Sequence, residues 1–167
     1  MIAQVLANPP KSSYADSEAY YAKICPQLLK ILDVQDSSDA KLFHSIACAC
    51  VKSISEKSLV FSRRYLLEPL MEPLIMLTEA EYSEKVTEIT EETLENSIKL
   101  LHKVFVICND PSGVFLIKLE PVILVLLDLH CSITFGVSHL KQNVEDLVKR
   151  YLKCVSSVDA VRGWQFE

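Results

Sequence analysis

The chain has 167 residues, half of them hydrophobic, with only three glycines and a formal net charge of −5. Glycine is too scarce for the tight turns of an all-β fold or for a phosphate-cradling loop, and the acidic balance lacks the basic footprint of a nucleic-acid binder. Met1–Pro10 lacks the basic start and apolar run of a signal peptide, and no Asn-x-Ser/Thr acceptor occurs. The six cysteines therefore read as reduced, small hydrophobes in a cytosol-facing chain.

Residues 1–16 read as the end of a preceding helix plus a loop. A helical-repeat domain follows over 17–156, built from three helix pairs at about 17–55, 58–108 and 113–155. The first pair joins a helix at about 17–34 to one at 38–55, with Asp16 or Ser17 and Ser38 as capping residues. In the second helix, Leu42, Ile46, Cys50 and Ile54 recur every four residues and predict a core face.

The second pair joins about 58–77 to 91–108. Between them Thr78–Thr90 reads as an inserted acidic stretch, and Thr90 as the next cap. Leu94, Ile98, Leu101, Phe105 and Cys108 alternate steps of four and three and predict one buried face. Cys108-Asn109-Asp110-Pro111 is a turn. The third pair starts near the cap Ser112 and joins about 113–132 to 137–155. Val137, Leu140, Val144, Leu147, Tyr151 and Val155 line its last helix. On the opposite side Glu145–Lys149 and Asp146–Arg150 have the favoured i,i+4 order, each worth about 0.3 kcal/mol. Residues 157–167 read as a truncated tail, so the chain is expected to be a piece of a longer protein or a short isoform of one.

The first helix of every pair carries a proline ahead of an aliphatic run: Pro26, Pro69 and Pro121. Their separations are 43 and 52 residues, against a period of roughly 40–47 for HEAT and armadillo repeats. The acidic insertion accounts for the longer one. The predicted fold is all-α, a HEAT/armadillo-like α-solenoid fragment of about three helix pairs, in which stacking buries faces that no pair buries alone. A six-helix globular bundle is the alternative.

Val114–Val137 approaches the roughly 20 apolar residues of a membrane span. Lys118, Glu120, Pro121, Asp128 and His130 interrupt it, each central charge costing about 3 kcal/mol. A central buried helix is expected there, and a membrane span is not.

Candidate sites are few. Glu79, Glu81, Glu84, Glu88, Glu91, Glu92 and Glu95 form an acidic strip, with Lys85 as its one cation. It reads as a solvated helix start favoured by the helix dipole, or as a docking strip for a basic partner segment. His44 and Cys48 share a helix face, with Cys50 beside them. Zinc wants four ligands and no second pair follows, so core packing is the better use. His102, His130 and His139 stand singly. Arg63-Arg64 and Lys149-Arg150-Lys153 are sparse basic clusters on solvated faces. No nucleophile elbow, P-loop, dinucleotide fingerprint or zincin helix occurs. No catalytic residue, cofactor or metal is expected.

Gln4-Val5-Leu6-Ala7-Asn8-Pro9-Pro10 and Glu18-Ala19-Tyr20-Tyr21-Ala22-Lys23-Ile24-Cys25-Pro26-Gln27-Leu28-Leu29 resemble the transport and Golgi organisation family of HEAT-repeat proteins. Phe43-His44-Ser45-Ile46-Ala47-Cys48 and Leu67-Glu68-Pro69-Leu70 resemble it too. The resemblance spans most of the chain, and the family's proteins are far longer, so flanking repeats are implied. Animal members are tied to secretion and Golgi organisation and often labelled transmembrane and coiled-coil proteins. Fungal relatives are linked to nuclear import of RNA polymerase II. The resemblance implies a non-enzymatic scaffold in trafficking, binding other proteins from the cytoplasm or at the periphery of Golgi or ER membranes. An adaptor for RNA polymerase II import or assembly is one alternative. A membrane-associated subunit anchored through 114–137 is another.

Overall fold

The structure is a computed structural model that describes residues 2–10, 17–34, 40–80, 89–107, 117–134 and 140–163. Among them every regular element is helical. The all-α class predicted from periodicity is thus the observed one. The chain divides into two compact units, Met1–Met71 and Glu72–Glu167.

In the first unit, α1 (Ile2–Leu6), α2 (Ser17–Asp33), α3 (Ala40–Lys57) and α4 (Leu59–Ser62) lead into a π-helical turn, Arg63–Leu67. Tyr21, Cys25, Leu28 and Leu32 of α2 recur every three to four residues and are all buried, as a helix with one apolar stripe requires. This stripe packs on α3, which also carries α1 and α4. The hydroxyls of Tyr20 and Tyr21 donate to the carbonyls of Leu6 and Ala7 at 3.1 and 2.8 Å. They satisfy the carbonyls of the last residue of α1 and of the residue after it, which the short helix itself leaves without a donor.

The face of α3 differs from the predicted one. Cys50 and Ile54 are buried, but Ile46 is half-buried and Leu42 is 64% exposed. Steps of four overshoot the helical period and rotate the row by roughly 40° each time. Over three steps the row leaves the core side. The residues that stay inside are Ala40, His44, Ala47, Cys48, Cys50, Val51, Ile54 and Ser55, mixing steps of three and four.

The helix that begins at α4 continues through the π turn into α5 (Glu68–Ala80). In that turn the Glu68 N–H reaches back to the Arg63 carbonyl, five residues away. Pro69 follows at once. In a regular helix its ring would collide with the carbonyl four residues back, and a widened turn relieves that collision. Pro26, by contrast, stands on the exposed side in mid-helix.

In the second unit, α6 (Glu91–His102) runs into a second π turn, Lys103–Ile107. A 3₁₀ turn, Ile117–Val122, leads into α7 (Ile123–Thr134), and α8 (Lys141–Gly163) closes the described chain. The π turn, the 3₁₀ turn, α6 and α7 all pack on α8. The core joins Ile98, Leu101, Val104 and Phe105 to Leu119, Val122, Leu126, Val144 and Leu147. The alternating steps read from α6 and α8 thus point inward, except that Leu94, Tyr151 and Val155 are only half-buried. Cys108 and Val137 lie outside the described residues. α8 runs to Gly163, past the boundary expected at 156.

The expected central helix over Val114–Val137 is interrupted in its described part. Pro121 lacks an N–H, and the chain there holds a tighter 3₁₀ turn before α7 begins. Leu124 is 69% exposed. No helix of the described residues is long and apolar enough to cross a membrane.

Candidate protein-binding surfaces

Four surface regions carry polar or exposed apolar side chains, two in the first unit and two in the second. At the start of α2, Glu18 accepts from Arg64 Nη1 at 2.7 Å and from the Tyr65 hydroxyl at 2.9 Å. The Arg64 guanidinium also lies over the Tyr65 ring, 5.5 Å from its centroid. The bond to Glu18 needs the phenolic proton, so it pushes the Tyr65 hydroxyl above its ordinary value, with burial adding to it. Tyr65, Phe61, Tyr21 and Tyr20 form a continuous row of ring contacts 5.2–6.5 Å between centroids. Behind them the hydroxyls of Ser55 and Ser62 bond to each other in the core. This cluster ties α2 to the π turn. The sequence alone offered only the Arg63-Arg64 doublet, because Glu18 stands 46 residues from Arg64.

At the other end of the same helix pair, His44 Nε2 lies 2.9 Å from the Val34 carbonyl. That contact caps the end of α2 with a side chain from α3 and brings the two helix ends together. Ile31, Val34, Leu42 and Phe43, all within three residues of this contact in sequence, are exposed. His44 is thus engaged with backbone, and Cys48 and Cys50 pack inside. Among the described residues no group of three or more His, Cys, Asp or Glu could hold a metal ion. Burial drives the Cys25 thiol up to about 12 and raises Cys50 and Tyr20 as well. These thiols are packing groups rather than nucleophiles.

In the second unit only part of the acidic strip is described. Glu81, Glu84 and Glu88 lie outside the described residues, as does the side chain of Glu79. Glu91 and Glu92 are exposed in the first turn of α6. There the Thr90 hydroxyl accepts from the Thr93 N–H at 3.2 Å, the N-cap expected at Thr90. Glu95 is half-buried and pairs with Lys99. Two exposed carboxylates with no cation beside them among the described residues, and a third paired with Lys99, fit a helix start stabilised by its dipole.

The polar face of α8 follows the expected pattern only halfway. Glu145 pairs with Lys149, which holds the carboxyl below its ordinary range and the ammonium above it. Asp146 turns to α6 instead of to Arg150. Its Oδ2 lies 3.2 Å from His102 Nε2, and its Oδ1 accepts from Gln142 at 2.8 Å.

A family model described as Transport and Golgi organization protein 6 homolog, ARM-like repeat, matches residues 1–163. No solved structure matches the chain.

Proposed function

The chain belongs to the Transport and Golgi organization protein 6 homolog family with its ARM-like repeat, and on that premise we propose that it is a non-catalytic scaffold or adaptor that binds other proteins in trafficking. The family match across residues 1–163 carries this reading, since armadillo-like repeats act by offering helix faces to partners. Its outward faces fit that use. Leu42 and Phe43 project from the first unit, Leu124 and Leu152 from the second. On this proposal it works in the cytoplasm, at the periphery of Golgi or ER membranes.

The test is an affinity pull-down from cell extract with the tagged full-length family protein, with and without this segment, read by mass spectrometry. Loss of secretory coat or Golgi components on removing the segment is the expected result. Loss of RNA polymerase II subunits or import factors instead would replace trafficking with polymerase import. An unchanged partner list would reduce the segment to a spacer.

A further inference from the structure

Helix α8 has an outward side on which Lys141, Glu145, Lys149, Leu152, Lys153 and Ser156 follow one another along successive turns, none of them buried. Val144, Leu147, Val148 and Cys154 are buried on the other side. Sequence spacing would neutralise this side through Glu145–Lys149 and Asp146–Arg150. The first pair forms, but Asp146 is drawn to His102 and Gln142. Among the described residues Lys141, Arg150 and Lys153 are then left with no carboxylate partner. Leu152, 51% exposed, lies between Lys149 and Lys153. A cationic strip around an aliphatic side chain runs against the net charge of −5 that the chain carries as a whole.

We propose that the outer face of α8 binds an acidic, leucine-bearing peptide segment of a partner protein. Its carboxylates meet Lys141 and Lys153, and its aliphatic side chain meets Leu152. The proposal names the partner chemistry of the adaptor role above and rests on it. A nucleic acid would need a longer phosphate-spaced track of cations. A membrane surface would need a broader apolar face than one leucine.

The probe is a synthetic peptide of glutamates with leucine at every fourth position, titrated into the isotope-labelled full chain and followed by amide chemical shifts. Shifts are expected along 141–156, with affinity falling about tenfold between low and ~0.5 M salt. Lys141→Glu with Lys153→Glu should weaken binding by about tenfold as well. Among the described residues those two side chains make no ion pair, so the helical circular dichroism should stay unchanged. Leu152→Ser should abolish the preference for this peptide over one with serine for leucine. No shifts, shifts centred on the first unit, or undiminished binding by the charge-reversed variant would each overturn the proposal. So would binding of phosphatidylserine vesicles by this face in preference to the peptide. If the peptide fails while the pull-down still loses trafficking components, the peptide chemistry falls and the adaptor role stands.

Discussion

Cys25, Cys50 and Tyr20 share one electrostatic consequence of the way α2 meets α3. Burial raises all three above their ordinary values, Cys25 from 9.0 to about 12. In the unfolded chain the Cys25 thiol ionises near 9.0, whereas the fold holds its proton to about 12. The stabilisation is therefore complete below the lower value and is lost as pH rises through the upper one. The melting temperature should hold steady near neutrality and fall between about pH 9 and 12. A melt that is flat across that window would contradict the burial. The same burial sets thiol reactivity, because only the thiolate attacks. Exposed Cys131 should alkylate in the native protein, and Cys25 and Cys50 only after denaturation. Tyr21→Phe removes one hydroxyl and leaves the Ala7 carbonyl without its 2.8 Å donor. It should cost about 1 kcal/mol of stability in denaturant titration, and a neutral result would mean that water replaces the hydroxyl. Only half of this was visible beforehand. Buried cysteine is a fair expectation from composition, but a tyrosine bonding a carbonyl 14 residues away leaves no mark in local spacing.

Elements were legible where the period was mixed and illegible where proline or distant side chains decided. Steps of four and three in α6 and α8 place Ile98, Leu101, Phe105, Val144 and Leu147 correctly in the core. Uniform steps of four in α3 do not, because the drift per step carries Leu42 to the surface. The prolines marked the first helices of the pairs, yet Pro121 produced a 3₁₀ turn, and Pro69 stands against a π turn. Backbone strain relieved through one neighbouring turn has no signature in hydrophobic patterning. The Asp146–Arg150 pair failed for a tertiary reason, since His102 arrives from another helix. Thr90 is the clearest local success, and it can be tested alone. Its hydroxyl satisfies the Thr93 N–H, a donor that the helix interior cannot reach. Thr90→Ala should lower stability by about 1 kcal/mol, with faster amide exchange confined to the first turn of α6. Exchange that quickens throughout the second unit instead would show that the cap supports more than its own helix.

At the scale of the whole molecule, the function was legible only through family resemblance, because no constellation of reactive side chains gathers in the sequence and partner-binding faces consist of ordinary surface residues. The structure adds where apolar groups fail to find cover. Single exposed hydrophobics are normal, whereas a contiguous set marks an interaction surface. Ile31, Val34, Leu42 and Phe43 are four exposed apolar side chains within three residues of the point where His44 holds the ends of α2 and α3 together. Repeat proteins bury faces of this kind against stacked neighbours. Presented to water instead, the set should draw copies of the chain together. Light scattering behind size exclusion should give an apparent mass that rises with loading concentration. Leu42→Ser with Phe43→Ser should return it toward the 18.8 kDa of a single chain. Both positions are exposed, with Phe43 at 52%, so the fold should survive the double change with a shift of only about 0.5 kcal/mol. A mass that never departs from the monomer would show that this corner is tolerated in water. The surface reading of these four residues would then be lost.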